Sequence, residues 1–150
     1  MVEIRKAEQE DLKEILELQY LAFRENAIRA GKWDIQPLTQ TYDEIVEEFK
    51  EMVFLKACDG SRIVGSVRTR EDNGTVYIGK LIVHPDTRRR GYGTMLLKTV
   101  EDMYPGKRFE LFTGSDDADN LRLYAKNGYR EFGRKAINKG VSFVYLEKIT

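Results

Sequence analysis

Positions spaced three and four apart, Leu12, Ile15, Leu16, Gln19, Ala22 and Phe23, make a mainly apolar stripe with charged residues between them. This spacing predicts an amphipathic helix whose first turn is acidic through Glu10 and Asp11 and which fades near Ala30 and Gly31. Thr41 and Glu44 stand three apart ahead of a second stripe, Tyr42, Ile45, Val46 and Phe49. That is a capping box opening a second helix. The period then changes. Val53 to Cys58 and Ile63 to Val67 read as strands around the hairpin dipeptide Asp59-Gly60, and Asp72-Asn73-Gly74 turns into a third strand, Val76 to Val83. Met95, Leu96, Thr99, Val100 and Met103 share a helix face that stops at Pro105-Gly106. Phe109 to Thr113 is the next strand, parallel to Val76 to Val83 because a helix lies between them. An N-cap cluster, Ser115 to Asp119, leads into a short helix through Leu121, Leu123 and Tyr124 that ends at Asn127-Gly128. Tyr129 to Phe132 and Val141 to Ile149 close as a hairpin across a basic loop, Arg134 to Gly140. With a first strand at Ile4 to Ala7, the order predicts one α/β domain over 1–150 with a mixed sheet.

Composition narrows the class. The chain of 150 residues is 41% hydrophobic and 33% charged, with 25 basic and 25 acidic side chains. No run approaches the ~20 apolar residues of a membrane span, and the acidic N-terminus does not resemble a secretory signal. A net charge of zero argues against phosphate tracking along a nucleic acid. The charge is uneven, however: residues 1 to 60 hold 8 basic and 14 acidic side chains, residues 61 to 150 hold 17 and 11. An acidic front and a basic back suggest two ligands of opposite sign, or simply two solvated surfaces. A lone cysteine, Cys58, excludes an internal disulfide and fits a cytoplasmic protein. No His, Cys and carboxylate spacing suggests a metal site.

The candidate chemistry lies in Lys80 to Leu97. Leu81, Ile82 and Val83 are stopped by His84-Pro85; Arg88, Arg89 and Arg90 follow with no acid among them; Gly91-Tyr92-Gly93 opens a helix at Thr94. A strand end, a basic turn and a glycine-relaxed helix start form an anion-receiving loop.

These residues resemble the GNAT superfamily of N-acetyltransferases. Leu81-Ile-Val-His-Pro precedes the loop, Arg88-Arg-Arg-Gly-Tyr-Gly matches the family's pyrophosphate motif, and Asn120 to Tyr129 matches its second cofactor motif. The resemblance implies the acyl-CoA N-acyltransferase fold: a mostly antiparallel sheet of about six to seven strands, splayed at a cofactor cleft, with about four helices. It implies that acetyl-CoA, or another acyl-CoA, lies along Leu81, Ile82 and Val83, with the Leu81 N–H as oxyanion donor. Amides of Arg88, Arg89, Arg90, Gly91, Tyr92, Gly93 and Thr94 would hold the pyrophosphate. Asn120 would contact the cofactor, and Tyr124 would protonate the leaving thiolate. The acceptor would be a primary amine of a small molecule, peptide or protein, near Glu25 to Thr41 and Arg134 to Gly140. A homodimer stands among the expected assemblies.

Two positions depart from the family pattern. The asparagine often found seven residues before the tyrosine is Asp117, and the strand positions that often carry a general base are Tyr77 and Gly79. The base stays open among Glu71, Asp34, Asp116 and a water chain. The missing strand base keeps a non-catalytic acyl-CoA binding or sensing module as the alternative. A Rossmann reading fails because its third glycine falls on Leu96. His84 reads as a turn residue, Cys58 as packing, and Trp33 as a core plug or part of the acceptor pocket.

Overall fold

The computed structural model describes residues 2–30, 35–138 and 140–150. Trp33 and Asp34, a pocket candidate and a base candidate, lie outside the described residues. The elements run β1 (Val2–Lys6), a 3-10 turn, α1 (Leu12–Ala30), α2 (Gln36–Thr39), α3 (Tyr42–Glu51), β2 (Val53–Asp59), β3 (Arg62–Asp72) and β4 (Thr75–Val83). A second 3-10 turn, α4 (Tyr92–Met103), β5 (Arg108–Gly114), α5 (Ala118–Lys126), β6 (Arg130–Asn138) and β7 (Val141–Ile149) complete the chain. Seven strands form one sheet in the order β1-β2-β3-β4-β5-β7-β6. Every pairing is antiparallel except β4 with β5. The expected mixed sheet is therefore present, with five helices among the described residues, one of them a single turn.

Each face of the sheet has its own core. Val64, Val76 and Phe109 meet Leu96 and Val100 of α4 and Tyr124 of α5 on one side. Phe54, Ile63 and Ile82 meet Leu12, Ile15 and Ile45 of α1 and α3 on the other. β3 is buried from Ile63 to Thr69 because helices cover both its faces, so it shows no polar alternation. Thr41 caps α3 as its spacing predicts: its hydroxyl accepts from the Glu44 N–H at 3.2 Å, and Glu44 returns to the Thr41 N–H at 2.8 Å.

Three boundaries differ from expectation. The first strand starts at Val2 and ends at Lys6, short of Ala7. Gln36–Thr39 makes one helical turn that the aperiodic sequence hides, started by Pro37 in its first turn. Most of the basic stretch from Arg134 to Gly140 is strand, not loop: β6 continues to Asn138 because it stays paired with β7 through Val141. Charged side chains are tolerated there because this is the sheet's outer strand, exposed from Arg134 to Ile137.

A buried arginine was not legible from its strand pattern. Arg68 is 1% exposed and lies 4.5 Å over the Phe54 ring. Its guanidinium donates to Gln19, to Gln40 at 3.3 Å and to Glu48 at 2.7 Å. One side chain of β3 thereby ties α1, the Gln40 connection and α3 to the sheet.

Candidate active site

β4 and β5 pair only through Thr75, Val76 and Tyr77 with Arg108, Phe109 and Glu110, and then part. The departure coincides with a bulge. The β3–β4 register slips between Ser66 and Arg68, so Lys80 and Leu81 both oppose Val67, and Lys80 takes φ +43°. An extra residue bends its strand and strengthens its twist. β4 thus keeps β3 on one side through Val83 and presents its other edge to a fork.

A cleft of ≈ 640 Å³ extends from this fork. Its walls include Leu81, Ile82 and Val83 from β4, Arg88, Arg89, Gly91, Tyr92, Gly93 and Thr94 from the loop and α4, and Asp117, Asn120 and Leu123 beside α5. Strand end and helix start therefore meet in one cavity, as the sequence predicts.

The start of α4 differs from those of α3 and α5. Thr41 caps α3 and Asp117 caps α5, accepting from the Asn120 N–H at 3.1 Å, whereas no side chain caps α4. The first helical donor is Met95 N–H, bonded to Gly91 O at 3.0 Å. The N–H groups of Tyr92, Gly93 and Thr94 precede that ladder and end at the cleft. Gly91 is held at φ +81°, where a side chain would strain the backbone, although a Cβ there would meet nothing within 4 Å. Gly93 serves a different purpose. A Cβ on it would stand 3.0 Å from Leu123 Cδ2, so this glycine lets α5 close against α4. The two glycines shape the turn and its packing.

Arg88, Arg89, Arg122 and Lys126 line the cleft against Asp117 and Asp119. The excess of cations, added to the positive end of α4, suits a polyanion such as a diphosphate. Arg122 and Lys126 were missed by motif reading. Their spacing of four on a short helix, which puts both on one face, was the available signal.

Most other expected residues fall outside the cleft. Arg90 is exposed and does not line the cleft. Tyr124 is buried in the core, its ring 6.1 Å from that of Tyr129. Burial, and then the Asp117 carboxylate, hold its hydroxyl well above the usual phenol range. Asn120 does line the cleft and donates its side-chain N–H to Asp117 at 2.9 Å. His84 Nδ1 accepts from the Asp86 N–H at 3.1 Å, a turn role, and Cys58 is buried in β2. Glu71 pairs with Lys107 at 2.9 Å and sits opposite Val76, at the closed end of the fork. Asp116 lies on the turn after β5. Among the described residues no His, Cys, Asp and Glu group could hold a metal ion, and no helix is long and apolar enough to cross a membrane.

Comparison with known proteins agrees with this geometry. The chain aligns over its full length with the PaiA N-acetyltransferase of Thermoplasma acidophilum, solved in complex with coenzyme A, at TM-score 0.82 and 19% identity, covering 99% of that chain. The ribosomal-protein-S18-alanine N-acetyltransferase of Escherichia coli superposes at TM-score 0.81 and 14% identity over 99% of this chain and 94% of that one. These likenesses establish a shared fold. In sequence, 102 residues, 68% of this chain, are 28% identical to the mycothiol acetyltransferase of Kineococcus radiotolerans, and the match spans only 29% of that longer protein. The sequence model of the acetyltransferase (GNAT) family matches residues 10–129, so with its forked sheet and uncapped loop this chain belongs to the acetyltransferase (GNAT) family.

Proposed function

We propose that the chain transfers an acetyl group from acetyl-CoA to a primary amine of a small molecule, peptide or protein, by direct attack of the amine on the thioester. One observation carries the reading: a helix start without a side-chain cap, flanked by Arg88 and Arg89, opens into the same cleft as the free edge of a parted strand. The diphosphate would take the place of a cap on α4, receiving Tyr92, Gly93 and Thr94 N–H groups. The edge of Leu81 to Val83 would take an extended arm as an added strand.

Bound acyl-CoA would supply an activated thioester carbonyl. Leu81 N–H donates to its oxygen as charge builds there, which is worth more in a cleft partly closed to water. Tyr124 stays protonated at neutral pH, held so by burial and by the Asp117 carboxylate, and would serve as hydrogen-bond donor to the departing sulfur. A setting in the reducing cytoplasm fits the single buried cysteine.

Free-thiol release from acetyl-CoA across an amine panel tests this reading. Amine-dependent release is expected. Saturable CoA binding with no release from any amine would favour a binding or sensing module instead, and absence of CoA binding would overturn both.

A further inference from the structure

The fork has a second side. β5 and β7 alternate, and while Phe109, Leu111, Val144 and Leu146 enter the core under α4, the side chains between them point to the opposite face. Among the described residues, none of β5, β6 or β7 belongs to the core that α1 and α3 make on that face. What lies there is aromatic. Phe112 is 53% exposed; its ring is 4.8 Å from Phe143 and 5.6 Å from Tyr145, and Tyr145 continues to Phe132 at 6.3 Å. Phe112 is two residues beyond Glu110, the last β5 residue paired with β4, so this aromatic wall begins where the fork opens.

A carboxylate stands at its end. Gly114 pairs with Phe143 and shares the outward face of Phe112. A Cβ on Gly114 would stand 2.5 Å from Asp116 Oδ1, so the absence of a side chain makes room for that carboxylate over the strand. The turn bearing it is fastened: Asp117 N–H donates to Gly114 O at 3.0 Å, Ser115 N–H to Ser142 O at 2.8 Å, and Ser142 N–H to Ser115 Oγ at 2.9 Å. Asp116 makes no ion pair among the described residues. Further down the same face, Glu110 and Glu147 share the single guanidinium of Arg108, each at 2.8 Å. The cations Arg130 and Lys135, opposite Glu147 and Phe143, share this face from the outer strand β6, and the Arg108 guanidinium lies 5.1 Å over the Phe132 ring, so Asp116 is the carboxylate of the face that lies farthest from Arg108 along β5.

We propose that this outer face binds the acceptor, and that the acceptor is a primary amine carried on an aromatic or other apolar body, its ammonium held by Asp116 and its body laid against Phe112, Phe143 and Tyr145. The inference rests on the acetyl-transfer reading and adds the substrate class to it. Exposed aromatic rings reward a planar apolar partner by edge and face contacts, and their π faces tolerate a neighbouring cation. An unpaired carboxylate beside them supplies the opposite charge. A small, highly polar amine would leave the wall uncovered.

The test uses 2-phenylethylamine and n-hexylamine against putrescine and glycine. Saturation-transfer NMR of each amine with the protein and CoA reports binding without turnover, and kcat/KM from thiol release reports use. Phenylethylamine and hexylamine should bind, with kcat/KM at least roughly tenfold above the polar amines. Phe112→Ala, a change at an exposed site, should lower kcat/KM for phenylethylamine about tenfold or more while leaving CoA affinity unchanged. Asp116→Asn should raise KM for every cationic amine. Gly114→Ala, which displaces the carboxylate without removing its charge, should act in the same direction. CoA binding with efficient turnover of putrescine or glycine and no binding of the apolar amines would overturn the inference and leave the acetyltransferase reading intact. Loss of CoA binding altogether would fail the reading itself. A dimer by sedimentation that Phe112→Ala dissolves, with amine binding unaffected, would assign the face to a second copy of the chain and overturn the inference.

Discussion

Replacing Gly91 and Gly93 one at a time separates two kinds of constraint in a single loop. A Cβ on Gly91 meets no atom within 4 Å, so the cost of Gly91→Ala is conformational, set by φ +81°. Holding an L-residue in the left-handed region costs about 1 to 2 kcal/mol. For a chain of this size each kcal/mol moves the melting temperature by roughly 2–4 °C, which gives a fall of roughly 2–8 °C. Gly93→Ala instead puts its Cβ 3.0 Å from Leu123 Cδ2, an overpacking cost of about 1 to 3 kcal/mol. The two variants would look alike in a melting experiment alone. A double-mutant cycle with Leu123→Ala tells them apart: the coupling with Gly93→Ala should be favourable, by about 1 kcal/mol, and that with Gly91→Ala near zero. Differential scanning calorimetry supplies stabilities, and isothermal titration supplies CoA affinity, which both variants should lower because both disturb the direction of the first-turn amides. If Leu123→Ala rescued Gly91→Ala, or if Gly91→Ala left melting and CoA affinity unchanged, the reasoning would be refuted.

Other predictions concern separate parts of the molecule. Glu48→Gln leaves the buried Arg68 guanidinium without its carboxylate and should cost about 3 to 5 kcal/mol in urea unfolding; a cost under 1 kcal/mol would show the pair to be screened. Asp11 is partly buried, which opposes ionisation, but the Glu8 N–H and the Lys56 ammonium at 2.8 Å outweigh this and hold its carboxyl below the usual range. The stability it contributes is complete above its unfolded value of about 3.9 and is lost as pH falls through the lower folded value, so Lys56→Met should flatten the acid limb of a stability–pH profile below about pH 5. Tyr124→Phe should lower kcat by about 100-fold in single-turnover thiol release with CoA affinity unchanged; equal loss of melting temperature and affinity would mark the tyrosine as packing only.

Much of this architecture was legible because its signals are local. Thr41 with Glu44, Asp59-Gly60 and Asn127-Gly128 each fix a boundary through hydrogen bonds within a few residues, and the structure places boundaries there. The loop was legible for the same reason: Leu81 to Thr94 is one continuous segment with glycine at position 91, which takes φ +81°, although Arg89 also takes positive φ without being glycine. What escaped depends on distant partners. Arg68 reads as an ordinary polar position until Gln19, Gln40 and Glu48 arrive from elements 20 and more residues away. The basic stretch at Arg134 reads as loop because nothing local reveals that β7 pairs with it. The aromatics of β5, β6 and β7 follow strand periodicity, and only the topology shows that, among the described residues, they do not join the core under α1 and α3. Tyr124 was placed by motif alone, and its burial beside Tyr129 is a tertiary fact.

The most direct measurement is a set of amide chemical shifts recorded while CoA is added to the labelled protein. The account predicts the largest changes at Tyr92, Gly93 and Thr94 and along Leu81 to Val83, with Phe112 and Tyr145 little affected until an amine is added. Saturating CoA that moved none of these amides, or moved only those of another surface, would contradict it.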